Sequence, residues 1–595
     1  MAEDIEKKSE TTMMYSAVKL MQRKRYENSK VQDINGHLAT SPDEILKITT
    51  EFFKDKFHQQ DTNTIDPFRG QARKLSKEIT PAEVTKSLHR LNNNRAAGSD
   101  EIPGELLKYG ANQLSLPISK IINEVFTMHK PLEINNAIMI TLPKPGKTKG
   151  PVKHLRPVML LETMRKSISL IVLDRIRPRV EEYLSDSQSG FRPNQSTTDI
   201  VWAHRWLVAK VMKSKISINI TGIDMSAAFD TVNRQKLIKI LETILDEDEI
   251  RIIQFLLSNT TISIRANGAT KQMPFISNIG VPQGDGLSPV LFTIYLEAAL
   301  REARPTPQDS IIPSELAYAD DVDFVSKEEH VNVENIQRKL SNFNLNVNTD
   351  KTEYTIIKRE ETKSEEGWRD TKKVGSLLGD SEDIKRRKAL STVALNKLFN
   401  VWLRKDKIKL KTRIRLYKTL VKSVLLYNCG TWGITQAEED QLDAFHRKQL
   451  KRVMGIHYPC QITNDSLYKK SNERPISATM RVARWKLFGH ILRRNPNIPA
   501  NIAMRFYFEN QETGYRGRPR TTLPEVLKKD LKIFQKMAIR RNELRKYRGL
   551  RLENKKDFKR LTSIATNREE WKQITRFIEE AGGAALPDGS AAVLQ

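Results

Sequence analysis

Two adjacent carboxylates at a tight turn constrain this chain more than any other feature. In Ser314-Glu315-Leu316-Ala317-Tyr318-Ala319-Asp320-Asp321-Val322-Asp323-Phe324-Val325, strand-like runs flank Ala-Asp-Asp and force two acids to the tip of a β-hairpin. Such carboxylates repel one another, and a bound cation is the simplest compensation. Upstream, Ile218-Asn219-Ile220-Thr221-Gly222-Ile223 reads as an apolar strand that delivers Asp224 at its end, before the chain turns into a helix through Phe229 and Asp230. An Asp-Asp pair alone is usually a solvated turn. Downstream of a strand ending Asp-x-x-x-Ala-Phe-Asp, it is far more specific.

Strand-like and helix-like segments alternate from about Ile138 to Lys358, which predicts a mixed α/β domain. Ahead of it, Thr80 can cap a helix whose first position is Pro81, and an amphipathic stretch runs from Glu105 to His129. Beyond Asp380 strand signals fade, and amphipathic patterns rich in Arg and Lys take over, as at Lys411 to Tyr427 and Arg481 to Arg494. At 595 residues the chain exceeds one core, so several domains are expected. One hundred Lys and Arg face 72 Asp and Glu, a net charge of +28 spread along the chain. The commonest partner of such a field is a polyphosphate. Cys429 and Cys460 are the two cysteines, which leaves no disulfide framework and no paired-cysteine zinc knuckle. The start, Met1-Ala2-Glu3-Asp4, is acidic and lacks the apolar region of a secretory signal. The most apolar run, Ile168 to Ile176, is broken by Asp174 and Arg175 and is too short to span a bilayer. A soluble protein that is not secreted is expected.

Five further motifs accompany the acids in a fixed order. They are Ala96-Ala97-Gly98-Ser99-Asp100-Glu101-Ile102-Pro103; Leu142-Pro143-Lys144-Pro145-Gly146-Lys147 with Leu155-Arg156-Pro157; Ser189-Gly190-Phe191-Arg192-Pro193-Asn194-Gln195-Ser196; Gly280-Val281-Pro282-Gln283-Gly284-Asp285-Gly286-Leu287-Ser288-Pro289; and Lys373-Val374-Gly375-Ser376-Leu377-Leu378-Gly379. With Tyr318-Ala319-Asp320-Asp321, the set resembles the reverse transcriptases of non-LTR (LINE-type) retrotransposons over about residues 80 to 495. Where that family usually reads Asn-Tyr-Arg-Pro-Ile-Ser, this chain has His154-Leu155-Arg156-Pro157-Val158-Met159, and the aromatic usually found before Leu378-Gly379 is absent.

The resemblance implies an α/β (α+β) right-hand polymerase, with an antiparallel-sheet palm and fingers at 80–380 and an α-helical thumb at 381–475. A basic polar N-terminal extension with little to bury is expected at 1–79, a basic helical nucleic-acid-binding region at 476–580 and a flexible tail at 581–595. It implies RNA-directed DNA synthesis with two magnesium ions, for which manganese can substitute, on Asp224, Asp320, Asp321 and the backbone of Met225. Oxygen ligands suit such ions. Lys144, Arg156, Phe229, Gln283 and Gly284 become nucleotide-binding residues, Arg because its planar fork suits a polyanion. Phe229, five residues on from Asp224, becomes a steric gate against a 2′ hydroxyl. Lys351 becomes the candidate general acid for the leaving pyrophosphate. Arg192, Pro193, Tyr318 and Gly379 become template- or primer-binding residues. Arg484, Trp485, Arg493, Arg516 and Arg518 become C-terminal nucleic-acid contacts, since basic faces interrupted by aromatics suit a duplex backbone and unstacked bases.

The implied partners are template RNA, primer or target DNA and dNTPs, in a ribonucleoprotein of nucleus and cytoplasm. The stretch before Thr80 is too short for an apurinic-type nuclease, and no Cys-His cluster follows the thumb. The expectation is therefore a truncated or domesticated product, or nicking and host factors supplied in trans. Two other readings stay open: a maturase-like RNA-binding splicing factor, and a domesticated nucleic-acid scaffold.

Overall fold

The computed structural model describes residues 30–58, 65–66, 72–129, 132–144, 146–214, 216–258, 260–265, 273–305, 311–359, 367–403, 408–509 and 521–581. Arg516, Arg518, residues 1–29 and the tail after 581 lie outside the described residues.

The first long element corrects an expectation. Helix α1 (Pro42–Phe57) begins at Ser41, whose hydroxyl accepts from the Glu44 amide, with Pro42 next, Asp43 and Glu44 in the first turn, and Lys54 and Lys56 in the last. Its Ile45, Leu46, Phe53 and Phe57 are buried, so this part of the N-terminal extension is not a polar arm with little to bury. The apolar spacing was masked by the charged residues of its outer face. At Thr80 the expected cap is present, with Glu83 returning to the Thr80 amide ahead of the helix Pro81–His89.

In chain order the strands and helices that position the site are β1 (Asn136–Pro143), β2 (Leu155–Leu161), α2 (Thr163–Tyr183), α3 (Thr197–Ser214), β3 (Ile218–Ile223), β4 (Thr260–Ile264), β5 (Phe275–Ser277), α4 (Ser288–Ala303), β6 (Glu315–Tyr318), β7 (Asp321–Ser326) and β8 (Glu353–Ile357). One sheet runs β2-β1-β4-β5, with β1 and β4 parallel, and α1 packs its phenylalanines into the core beneath it. The other runs β8-β3-β7-β6 and is antiparallel throughout.

The inner strands β3 and β7 of this sheet send side chains into a core on each face, since strand side chains alternate. Ile223, Val322 and Phe324 join a core with α2 and α4. Ile218, Ile220 and Val325 join a different core with Trp202 and Trp206 of α3. The second core is completed from far along the chain, by residues 485–578. Trp202 Nε1 donates to the Ala500 carbonyl at 3.1 Å, and the Trp206 and Phe506 rings meet edge to face.

From Asp380 onward the described residues are helical: α5 (Asp380–Trp402), α6 (Gln436–Met454), α7 (Ile476–Leu492), α8 (Leu523–Arg540) and α9 (Arg568–Ala581) are the longer helices. Here Arg484 and Trp485 depart from expectation. Both are fully buried. Arg484 donates to Glu439 at 2.9 Å and to Asp530, Arg481 donates to Asp530 at 3.0 Å, and Trp485 Nε1 donates to Asp530 at 3.2 Å. The basic face of α7 is thus spent on a buried charge network, where a cation persists only because carboxylates surround it. Arg493, half-buried, donates to the Ala565 carbonyl.

A buried histidine gives this region a pH signature. His446 of α6 stacks on Tyr417, 5.9 Å between centroids, inside the core of residues 395–467. Glu473, 3.9 Å away, favours its protonation, but burial first and then Lys422 outweigh it and hold the imidazole at about 3. The unfolded chain takes up a proton near pH 6.5 and the folded one does not, so stability falls as pH drops from about 6.5 towards about 3. His446→Phe should flatten that slope in chemical denaturation between pH 7 and pH 5. An unchanged slope would mean that His446 is charged in the fold.

Candidate active site

The register of β3 against β7 pairs Ile223 with Val322, which sets Asp224 beside Asp321. Tyr318 pairs with Asp321 across the hairpin, leaving Ala319 and Asp320 as the turn. Ala319 sits at φ +59°, in the left-handed region. One side chain braces it. The Gln188 amide oxygen accepts from the backbone of Ala319 at 2.9 Å and of Gly190 at 2.7 Å, while its nitrogen donates to the Ala319 carbonyl. Ser187 and Ser189 extend the ladder by bonding both backbone groups of Ala317. Beyond β3, the Asn348 amide donates to the Asp224 carbonyl and the Ser226 amide to the Asn346 carbonyl, each at 2.8 Å, so Met225 bridges Val347.

Three carboxylates therefore meet at neighbouring strand ends, and the titration of Asp320 and Asp321 records it. Burial, and then the Asp320, Asp323 and Asp224 charges, raise Asp321 to about 6; burial also raises Asp320, with Asp224 adding to it. Lys351 Nζ donates to Asp224 at 2.6 Å. Among the described residues, no three His, Cys, Asp or Glu side chains are already closed around a metal position. The donor set still fits a hard divalent cation: it is all oxygen, its repulsion is what such a charge would relieve, and Lys351, the cation bonded to Asp224, is half-exposed.

Around this centre lie several expected nucleotide-binding residues. Arg156 is exposed on β2, and its charge acts on Asp320. Lys144 donates to the Lys153 carbonyl at 2.9 Å. Its ammonium is lowered by burial and then by the nearby Lys56 charge. Gln283 donates to Asp230 at 2.8 Å, and its carbonyl accepts from Met159 of β2. Gly284, at φ +132°, leaves no room for a side chain, because a Cβ would lie 2.5 Å from the Met159 carbonyl oxygen. Phe229 serves two surroundings at once: its ring stacks on buried Phe292 at 4.3 Å and meets exposed Phe191 edge to face at 6.1 Å.

Other expected contacts are placed differently. Arg192 is turned inward, donating to Glu181 at 3.0 Å and to the Ser185 carbonyl at 2.7 Å. Pro193 is half-buried beside it, and Tyr318 is half-buried just before the turn. Gly379 is buried at the start of α5, where a Cβ would strike Glu382. It is instead Lys372, Lys373, Val374 and Gly375 that line the open cleft of about 450 Å³ together with Asp224, Asp321 and Lys351.

Sequence reasoning also passed over Asp323. It lies buried between Lys373 at 2.6 Å and His204 at 3.1 Å. Burial alone would raise its carboxyl, but Lys373 and then His204 outweigh that and hold it at about 2. Gln188 and Lys56 were likewise missed. Gln188 adjoins a motif that was recognised, so only the geometry singles it out. A Cβ on Gly190 would lie 2.1 Å from the Ala319 nitrogen, so Gly190→Ala should push the Asp320-Asp321 turn out of place. The expected result is a melting temperature lowered by several degrees, by about 1–3 kcal/mol of overpacking, with activity lost. A variant as stable as the parent would show that the turn yields freely.

Residues 142–415 match the family described as reverse transcriptase (RNA-dependent DNA polymerase). Three curated relatives carry the names of mobile elements. A probable RNA-directed DNA polymerase from transposon BS of Drosophila melanogaster is 22% identical over 47% of this chain and 32% of its own length. The RNA-directed DNA polymerase from mobile element jockey of Drosophila funebris is 22% identical over 63% of this chain and 44% of its own. A probable RNA-directed DNA polymerase from transposon X-element of Drosophila melanogaster is 23% identical over 75% and 53%. The chain thus spans about a third to a half of the length of these relatives.

Proposed function

We propose that this chain, which carries a reverse transcriptase domain of right-hand polymerase fold, is an RNA-directed DNA polymerase copying an RNA template into cDNA from a DNA 3′ end. The observation that carries the reading is the convergence of Asp224, Asp320 and Asp321 at adjoining strand ends. Asp224, Asp320, Asp321 and the Met225 backbone would hold two magnesium ions, which supply activation of the primer hydroxyl and charge neutralisation on the triphosphate when bound.

The chain's own groups do the rest. Arg156 and Lys144 face the polyanion as fixed cations. Gln283, tied to Asp230, presents a fixed amide to the nucleotide, and Gly284 lets backbone approach it. Lys351, bonded to Asp224 here, would be the group that gives a proton to the departing pyrophosphate. The lysines at 372 and 373 border the cleft where a primer end would lie, and α5 and α6 are the thumb in this reading. Net charge of +28 supports a nucleic-acid duplex as the substrate surface.

Asp224→Ala or Asp320→Ala should abolish primer extension on RNA with magnesium while leaving template–primer binding nearly unchanged, because binding is spread over many phosphate contacts. Full-length product from Asp320→Ala/Asp321→Ala would overturn the assignment.

Phe229 separates discrimination from packing. As a gate, its truncation to Val should lower the dNTP-over-NTP ratio of kcat/KM about ten- to hundredfold, the equivalent of about 1–3 kcal/mol of overlap with a 2′ hydroxyl. As a mere partner of Phe292, it would lower both values together, and an unchanged ratio in a folded variant would remove the gate.

A further inference from the structure

We propose that Lys56, on helix α1 ahead of the reverse transcriptase domain, is a positioning residue for the incoming deoxynucleoside triphosphate: it neutralises Asp230, so that this carboxylate can orient Gln283 without repelling the substrate. The inference rests on the polymerase reading.

Asp230 is buried under the loop that carries Gln283. Its two oxygens are divided, with Lys56 Nζ on Oδ2 at 2.6 Å and Gln283 Nε2 on Oδ1 at 2.8 Å. Donation from Nε2 fixes which end of the Gln283 amide faces outward. A carboxylate serving that purpose has a cost. In a poorly solvated site beside a tetra-anionic ligand, its charge acts at short range with little screening. Lys56 cancels it.

The surrounding backbone is built to keep the three residues in register. Val281 donates to the Phe229 carbonyl at 2.9 Å, and Gly280 at φ +74° lies so close to Asp230 that a Cβ would meet its carbonyl oxygen at 2.7 Å. The end of α1 is stitched to the same loop, since the Asn278 amide donates to the Phe57 carbonyl at 3.1 Å. Lys56 keeps its reach by lying near the Phe53 and Phe57 rings. Its charge is felt at Lys144, which also senses Asp230 and Lys351. A helix outside the matched domain thereby supplies a charge to the nucleotide site.

The test is single-nucleotide extension by the full chain on an RNA template with a DNA primer and magnesium, each variant's melting curve being recorded alongside. Lys56→Met should raise KM for every dNTP about tenfold, the scale of one charge-assisted hydrogen bond, with kcat within about twofold. Lys56→Arg should restore most of the loss. Lys56→Met/Asp230→Asn should lie nearer the parent KM than Lys56→Met alone, because the uncompensated charge is gone. An unchanged KM, a fall in kcat at fixed KM, or a double variant no better than the single one overturns the proposal. Should Lys56→Met fail to fold, Lys56→Gln, which keeps a donor and drops the charge, carries the same expected and overturning results. A parent protein that extends no primer overturns the polymerase reading and this inference with it, whereas an active parent with an unaffected Lys56→Met overturns this inference alone.

Discussion

Mutual repulsion among Asp224, Asp320 and Asp321 is the constraint around which the molecule is arranged. Left to themselves, three acids would move apart, and the protein prevents this with backbone. Asp224 is fixed by the β3–β7 register and by Asn348, and the Asp-Asp turn by a left-handed Ala319 that Gln188 clasps from both sides. Burial first, and then that repulsion, raise the carboxyls of Asp320 and Asp321. A pocket that holds its charges together in advance is spared the reorganisation of gathering them when substrate arrives.

Outward from that centre, buried cations serve as rivets. Arg234 gives its donors to the carbonyls of Leu257, Ser277, Ile279 and Gly280, and burial, followed by the Arg165 charge, pushes its guanidinium down to about 9. Arg205 joins Leu377, Thr431 and Asp383 across three distant stretches of chain. Each satisfies backbone or carboxylate groups that would otherwise be stranded away from water. A strongly basic composition is therefore not all surface: part of it is structural.

That distinction marks what could be read from sequence. The meeting of the three acids was legible because an Asp-Asp turn downstream of a strand ending in Asp is a rare spacing, and the loop of Gln283 and Gly284 because a loop seldom carries Pro-Gln-Gly. Arg484 and Trp485 were misjudged because an arginine facing nucleic acid and one facing Asp530 give the same local pattern. The deciding partner sits 46 positions away. Arg192 was misread for a similar reason, with Glu181 as the unseen partner. Lys56 and Gln188 were invisible because their significance lies in what folding brings to them.

The core behind the antiparallel sheet has a consequence in time. Trp202 and Trp206 emerge from the ribosome early, but Phe488, Phe506, Phe534 and Trp571, which share their core, follow some hundreds of residues later. At synthesis rates of roughly 5–20 residues per second, the tryptophan face of α3 waits tens of seconds for its cover. A nascent chain released short of α9, or cut by a protease in that interval, presents an apolar sheet back to its neighbours. The sheet that carries the acids and the last helix thus complete one shared core, and neither buries its apolar face without the other.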